Sequence, residues 1–224
     1  MTTTAPSPRV RVRRAPKRAV YDRAQIDAIL DEAIVCHLGF VHEGRPFVIP
    51  TLQARAGDVV YVHGSAASRM LRTLAQRVLA CLTVTLVDGL VLARSAFHHS
   101  VNYRSVVIHA RAEQVTEPEE KERALEAFTE HLVRGRWAEV RWPTPAELKA
   151  TAVLKMPISE ASAKVRTGPP LDDAEDYELD VWAGVLPLAL EPRAPEADER
   201  LPAGVEPPAY VTRWSRPPQG PSRP

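Results

Sequence analysis

Residues 59–74 read VVYVHGSAASRMLRTL and decide the fold more than any other stretch of the chain. The β-branched and aromatic residues from Val59 to Val62 predict a strand. The short turn HGS ends this strand, and the apolar residues of ASRMLRTLAQ then recur at helical spacing. The sequence therefore predicts a strand that runs directly into a short helix.

This junction between strand and helix also has the chemistry of a phosphate site. The first turn of a helix presents unpaired N–H groups and the positive end of a dipole, which together attract phosphate. Gly64 lets the backbone approach a ligand closely, and Ser65 and Ser68 offer hydroxyl donors. Arg69 adds a planar, two-pronged donor. The alternative is an ordinary serine-capped helix that carries a surface arginine.

The flanking segments predict a mainly β (α+β) fold. Upstream, Asp22 and Gln25 form the cap of a helix, which is followed by the strand-like runs IVCHLGFV and PFVIPTLQAR. Downstream, VLACLTVTLVDGLVLARS predicts a hairpin that turns at Asp88-Gly89, and YRSVVIHARAEQV predicts a long strand. Further helices begin at Pro118 and, through a capping box, at Thr144. About six strands with helices between them indicate a small antiparallel barrel with peripheral helices.

The composition is that of a soluble globular protein, with 45% hydrophobic and 25% charged residues. A net charge of +1 gives no global attraction to nucleic acid or anionic lipid, and no apolar run reaches the roughly 20 residues that cross a bilayer. Cys36 and Cys81 lie in apolar surroundings and form no secreted disulfide framework. We therefore expect a cytoplasmic protein that binds neither nucleic acid nor a membrane.

The 21 prolines are concentrated at the two ends of the chain. Residues 1–20, which contain the basic run RVRVRRAPKR, are expected to form a flexible arm. Residues 193–224 are rich in Pro, Glu and Arg, a composition typical of a disordered tail. The folded domain is expected to cover residues 21–192.

Two further segments carry candidate ligand-binding groups. In GRPFVIPTLQAR, a proline inside a strand removes a ladder donor, so Pro50 is predicted to lie at an edge or a bulge. Backbone groups beside such a position are free to bind the polar edge of a ligand. In NYRSVVIHARAEQV, the polar residues Tyr103, Arg104 and Ser105 begin a strand. The alternative for this second segment is an alternating strand whose polar residues face water.

Taken in order, these three segments resemble the flavin-nucleotide-binding branch of the pyridoxamine 5′-phosphate oxidase superfamily, which is also similar to the nitroimidazole-resistance proteins. The resemblance covers roughly residues 20–190. It implies a six-stranded antiparallel split β-barrel, a homodimer with flavin at the interface, and non-covalent FMN. The cofactor-binding residues that it implies are Val48, Ile49, Pro50 and Thr51 at the isoalloxazine edge, His63, Gly64, Ser65, Ser68 and Arg69 at the phosphate, and Ser105 and Trp182 elsewhere on the flavin.

The departures from the family pattern bear on the substrate. Met70 stands where the vitamin B6 oxidases carry a second basic residue, and Ser105 stands where they carry glutamine. After Trp182 the chain lacks their RLHDR-like ending, which disfavours a vitamin B6 oxidase. The expected function is an FMN-dependent oxidoreductase acting on a small organic molecule, with no catalytic residue assigned. A single phosphate cradle and the absence of a dinucleotide fingerprint favour FMN over FAD.

The alternative function is a flavin- or haem-binding carrier or sensor without turnover. The resembling superfamily includes haem-handling members, and His63, His98 or His99 would then ligate iron. No HExxH or CxxC motif indicates a structural metal site. Lys164 and Arg166 form a basic pair that either binds a substrate anion or belongs to an exposed loop with balanced charges.

Overall fold

The computed structural model describes residues 4–215. Its strands are β1 (Ala19–Val20), β2 (Val35–His42), β3 (Arg45–Leu52), β4 (Ala54–Ala56), β5 (Val59–Ser65), β6 (Leu79–Leu92), β7 (Ser100–Arg111), β8 (Glu113–Gln114), β9 (Thr151–Pro157), β10 (Ala161–Arg166) and β11 (Gly184–Pro187). Its helices are α1 (Arg23–Glu32), α2 (Arg69–Ala75), α3 (Pro118–Leu132), α4 (Pro145–Ala150) and α5 (Ala209–Thr212).

These strands form two antiparallel sheets. The larger sheet has the order β1-β10-β7-β6-β2-β3, with β11 added along β6, and the smaller sheet has the order β4-β5-β9-β8. A core of residues with no solvent exposure, including Leu38, Leu82, Ile108 and Met156, lies between the two sheets. This arrangement confirms the predicted mainly antiparallel split barrel with peripheral helices.

A second, smaller core lies on the other side of the smaller sheet. Here Tyr61 and Val153 pack against Phe128 and Ala124 of α3. Because successive side chains of a strand point to opposite faces, β5 contributes to both cores: Val60 and Val62 face the barrel, whereas Tyr61 faces α3. The strand therefore separates two environments, and this separation positions the candidate sites.

The local signals for helix starts and for the edge strand are confirmed. Asp22 accepts a hydrogen bond from the Gln25 amide, and Thr144 and Glu147 form the complete capping box. Pro50 lies in β3, an end strand of the larger sheet, where its missing N–H interrupts no ladder on the open side.

The predicted hairpin at Asp88-Gly89 is wrong. The segment forms one continuous strand, β6, which pairs with β7 along its whole length and bulges between Val87 and Gly89. Gly89 is required there because β11 passes close by: a Cβ at this position would lie 3.0 Å from the Leu186 carbonyl oxygen. The glycine thus permits a close strand approach instead of a turn.

The two ends of the chain contact the domain at particular points. Val10 is buried, and the Ser7 hydroxyl donates to Glu160 at 2.6 Å. Near the other end, the Trp214 indole N–H donates to the Leu132 carbonyl at 2.8 Å, while most residues between 190 and 208 are exposed. Residues 1–3 and 216–224 of the predicted arm and tail lie outside the described residues, and the predicted domain boundaries stay predictions. Within residues 4–215, no helix is both long and apolar enough to span a membrane.

A partly buried ion cluster ties α1 to the two central strands of the larger sheet. The Arg104 guanidinium of β7 donates from Nη2 to Glu32 at 2.9 Å and to Asp88 at 2.7 Å, with further bonds to each carboxylate from Nη1 and Nε. Glu32 is only 4% exposed. Asp88 is the residue at the β6 bulge, so the bulge carries a carboxylate to the guanidinium.

We expect Arg104→Ala to lower the free energy of unfolding by about 3–5 kcal/mol, because it leaves two neighbouring carboxylates without the cation between them. Urea denaturation at neutral pH measures this. Arg9→Ala is the control, since Arg9 approaches Glu160 only at 3.9 Å and is half exposed, and should cost less than about 1 kcal/mol. Similar losses for the two variants would show that the Arg104 cluster has no special structural role.

Candidate functional site

The turn between β5 and α2 presents free donor groups, as the sequence predicts. The Ser65 hydroxyl accepts a hydrogen bond from the Ala67 amide, whereas Ser68 precedes the helix without a side-chain cap. Arg69 is exposed, and its guanidinium carbon lies 4.5 Å from the centre of the Phe47 ring. Within residues 4–215 Arg69 has no carboxylate partner, so its N–H donors are available to an anion.

Gly64 fits closely into this turn. A Cβ added to it would lie 3.2 Å from the Leu71 side chain, which belongs to the barrel core. The backbone of β5 and the first turn of α2 are therefore packed together at this glycine. The close approach predicted from the sequence was to a ligand, and that role stays a prediction.

Val48, Pro50 and Ser105 lie on the outer face of the larger sheet. The register places Pro50 opposite His37, His37 opposite Thr83, and Thr83 opposite Val107 of β7, two residues from Ser105. Three strand spacings separate β3 from β7, roughly 14 Å at about 4.8 Å per spacing. Ile49 instead packs against the barrel core. The segment predicted to line the isoalloxazine ring thus presents the side chains of Val48 and Pro50 on the outer face of the sheet. Because β3 is an end strand, its backbone edge is also open.

Trp182 does not join these residues within one chain. It is 69% exposed and packs over Gly184, which pairs with Leu92 at the far end of β6. Thr85, which lies opposite Ser105, is seven positions from Leu92 along the same strand. Trp182 and Ser105 therefore lie at separate places within one chain.

His63 lies on the α3 side of β5. Its ring centre is 4.1 Å from that of Phe128, and it lines an apolar cleft of about 370 Å³. The cleft has aliphatic and aromatic walls and a charged rim, formed by Leu52, Leu125, Phe128, Thr129, Leu132, Trp137, Val140, Arg141, Pro143 and Glu147. We call it the His63 cleft. The sequence placed His63 at the phosphate, but its side chain points to the other face of β5.

The His63 imidazole is suited to ligation. Its Nδ1 is buried and has no hydrogen-bond partner among the described residues, an arrangement that is costly in a folded protein. Burial lowers the pKa of this imidazole, so the ring is held in the neutral form that binds metals. The rim residues Arg141 and Glu147 pair with each other at 2.7 Å.

The two candidate sites lie at different ends of β3. Phe47, which contacts Arg69, and Leu52, which lines the His63 cleft, are five residues apart on this strand. At about 3.4 Å per residue, this amounts to roughly 17 Å. The fold therefore provides separate places for an anionic group and for a ligand of His63.

The other two candidate histidines have local partners. His98 lies 3.1 Å from a carboxylate oxygen of Asp173, and His99 Nδ1 lies 3.0 Å from the Ser95 carbonyl oxygen. His98, Asp173 and Asp176 bring their potential ligand atoms within 4.8 Å of one another in a partly exposed cluster. Neither His98 nor His99 lines the His63 cleft.

Sequence reasoning missed the walls of the His63 cleft. The helical spacing of Leu125, Phe128 and Leu132 indicated an apolar face of α3, but this face alone does not indicate a cavity. The remaining walls come from the irregular segment between α3 and α4, which includes Trp137 and Val140. Trp137 and Trp142 of this segment stack, with their ring centres 6.2 Å apart. The presence of two tryptophans in a short irregular segment was the sequence signal that could have indicated an apolar wall.

The chain is similar to known proteins both in sequence and in structure. The family model described as pyridoxamine 5′-phosphate oxidase matches residues 22–165. No curated protein sequence matches the chain. Among solved structures, the flavocytochrome Anf3 from Azotobacter vinelandii is 44% identical, with a TM-score of 0.88 over 93% of this chain and 97% of that one.

Two other solved structures are also similar. The FAD and haem binding protein from Mycobacterium smegmatis is 35% identical, with a TM-score of 0.84 over 87% of this chain and 96% of its own. A 5-nitroimidazole antibiotic resistance protein from Bacteroides thetaiotaomicron is 22% identical, with a TM-score of 0.57 over 66% of this chain and 86% of its own, and supports the fold alone.

We expect His63→Phe to change how stability depends on pH. The pKa of His63 is lower in the folded protein than its ordinary value of 6.5, so the unfolded chain binds the proton first. Above about pH 7 the His63 ring is neutral in both the folded and the unfolded chain, so it causes no loss of stability. As the pH drops through 6.5, the unfolded chain takes up the proton and the free energy of unfolding of wild type decreases. The phenylalanine variant lacks this loss.

Urea denaturation between pH 5 and 8 measures the difference. As the pH falls, the free energy of unfolding of wild type should decrease relative to that of His63→Phe. One proton allows at most ~1.4 kcal/mol per pH unit, and the decrease should stay below this limit because the ring is partly exposed. The control is His37→Phe on the exposed outer sheet face. A difference between wild type and His63→Phe that does not vary with pH would show that the imidazole is not desolvated.

Proposed function

Because this chain belongs to the pyridoxamine 5′-phosphate oxidase family, we propose that it is a flavin-binding oxidoreductase that also binds haem. The single observation that carries the haem assignment is the His63 imidazole, which lines an apolar cleft and whose buried Nδ1 has no hydrogen-bond partner within residues 4–215. Two relatives support the pairing of cofactors: the one at 44% identity is named a flavocytochrome, and the one at 35% is named an FAD and haem binding protein.

The flavin would be held at the β5–α2 turn and along β3. The Arg69 guanidinium and the free N–H groups of the first turn of α2 would bind phosphate, and the open backbone edge of β3 would bind a polar ring edge. The sequence favours FMN, whereas the M. smegmatis relative is named for FAD. We propose a flavin nucleotide whose phosphate is bound by Arg69, a role common to FMN and FAD.

The His63 cleft is suited to haem by the chemistry of its lining. Its volume lies in the range of small-molecule sites, about 300–1,000 Å³, and its walls are aliphatic and aromatic. His63 would supply a neutral imidazole to iron, and Phe128 would fix the orientation of that ring by packing against it. When bound, the two cofactors would supply two-electron and one-electron redox chemistry. The surrounding residues would exclude water and hold the cofactors apart.

We further propose a homodimer that brings two copies of the outer sheet face together. This face exposes several large apolar side chains, among them Val35, Val41, Val48 and Val87, at 45–68%. Exposed apolar surface of this kind marks an interface. A dimer would also allow Trp182 of one chain to reach the flavin of the other. The substrate would be a small organic molecule, and the protein would act in the cytoplasm.

We expect the full chain, supplied with haem and flavin, to show the absorption bands of both. His63→Ala should lose most of the haem absorbance and retain the flavin, because only the imidazole ligand is removed. His98→Ala is the matched control, since His98 is bonded to Asp173 outside the cleft. Absorption spectra, mass spectrometry of the released cofactors and light scattering on the same samples give cofactor content and oligomeric state. Unchanged haem content in His63→Ala would refute the assignment.

We expect Arg69→Ala to weaken flavin nucleotide binding by about ten- to a hundredfold and riboflavin binding hardly at all. A charge-assisted bond to phosphate contributes roughly 1.5–3 kcal/mol, and riboflavin has no phosphate. Arg69→Lys should rescue binding only in part, because lysine lacks the planar fork. Titrations of FMN, FAD and riboflavin measure the three affinities. Arg123→Ala, an exposed site on α3, removes the same charge as a control. If Arg69→Ala binds FMN and FAD as tightly as wild type does, Arg69 makes no contact with the phosphate.

A further inference from the structure

A second pocket, of about 310 Å³, lies where the N-terminal segment crosses the end of β10. Three cationic side chains line it, those of Lys17, Arg18 and Arg166. Its other lining residues are Val165, Thr167, Pro169 and Leu171. We call it the basic pocket.

The sheet register assembles these cations from distant parts of the sequence. Strand β1 pairs with β10 so that Ala19 lies opposite Lys164. The 3₁₀ turn Pro16–Arg18 directly precedes β1, and it therefore lies beside the last residues of β10. Ala15, at φ 52°, turns the chain into this position in the left-handed region.

Arg166 is a buried cation with neutral partners. It is 8% exposed, and its guanidinium donates to the Asn102 side-chain oxygen. Its other contacts, to the carbonyl oxygens of Gly168 and Pro169, are at 3.5 and 3.4 Å, the outer limit of hydrogen bonding. A guanidinium carries five N–H donors, more than these contacts use.

The pocket lacks a compensating negative charge. Across residues 4–215, none of the three cations forms an ion pair with a carboxylate. Burial, followed by the nearby charge of Arg18, lowers the pKa of Arg166. Buried charges in proteins are ordinarily paired, and an unpaired one destabilises the fold. An anion in the basic pocket would compensate the buried charge of Arg166 and offset its repulsion from Arg18.

The geometry points to a binding site for a phosphate or diphosphate group in the basic pocket. Three cations favour a ligand with more than one negative charge, and a phosphate group carries about −1.5 to −2 near neutral pH. Arginine binds such groups through two parallel hydrogen bonds. Arg166 would hold the group from below, with Lys17 and Arg18 at the open side and the Thr167 side chain beside them.

This site is distinct from the one at Arg69. Strand β10 and strand β3, whose Phe47 contacts Arg69, are four positions apart in the larger sheet. Four strand spacings amount to roughly 19 Å. The ligand is therefore either the phosphate end of a nucleotide that extends across the sheet or a separate phosphorylated compound. The phosphate chemistry is common to both.

Calorimetric titration of the full chain with inorganic pyrophosphate, in about 0.15 M salt to screen unspecific attraction, tests the site. The titration is made in wild type and in the Arg69→Ala background, which lacks the phosphate contact proposed for the flavin site, and in that background we expect saturable binding of one pyrophosphate per chain. The double variant Lys17→Gln/Arg18→Gln should weaken it at least about tenfold, since two charge-assisted contacts are lost. Arg166→Lys should weaken it less, because the charge remains. Arg14→Gln, on the exposed part of the same arm, should leave binding unchanged within about twofold.

Repeating the titration with saturating FAD identifies the source of the phosphate. Competition between pyrophosphate and FAD assigns the pocket to the nucleotide, whereas independent binding assigns it to a separate phosphorylated compound. Melting curves with and without pyrophosphate confirm that each variant is folded and report ligand stabilisation. No saturable binding at millimolar pyrophosphate, or equal binding by wild type and Lys17→Gln/Arg18→Gln, would overturn the inference. Because pyrophosphate is titrated without added cofactor first, this result is independent of flavin or haem binding.

Discussion

The guanidinium of Arg104 is the contact on which the arrangement of the larger sheet depends. It joins the end of α1, through Glu32, to the bulge of β6, through Asp88. Because one guanidinium binds both carboxylates, the helix, the bulge and β7 have to meet in one register for the charges to be paired. This register also fixes the neighbours of β7, which include Ser105 opposite Lys164 on β10.

With one face of the larger sheet closed over the core, the opposite face and β5 provide the functional surfaces. The two-residue period of β5 directs Gly64 toward the barrel, beside Arg69, and His63 toward α3. One strand therefore serves two chemically different sites, an exposed site for an anion and an apolar cleft. A change of a single residue in the register of β5 would exchange these faces and abolish both sites.

Features that depend on neighbouring residues could be predicted from the sequence. The predictions were wrong where contacts between distant residues determine the structure. The caps at Asp22 and Thr144 and the junction of β5 with α2 follow from local hydrogen bonding and spacing, and the structure confirms them. Asp88-Gly89 is a good turn pair in isolation, but β7 pairs on both sides of it and Arg104 binds the carboxylate. The long-range pairing outweighs the local preference, so β6 continues as a bulged strand.

The same distinction explains why the cleft was not predicted and the basic pocket was predicted only in part. Lys17 and Arg18 read as part of a basic arm, whereas Lys164 and Arg166 read either as a site for a substrate anion or as part of an exposed, charge-balanced loop. The structure places both residues of this pair in β10 and buries Arg166, so they do not form an exposed loop. Their common sign matters only once β1 pairs with β10 and the acidic residues that follow, such as Asp172, bind elsewhere; Asp172 accepts from the Arg94 amide at 3.1 Å. Net charge near zero thus coexists with a local concentration of positive charge. The fold, by separating charges that are adjacent in sequence, creates an electrostatic site that composition alone does not predict.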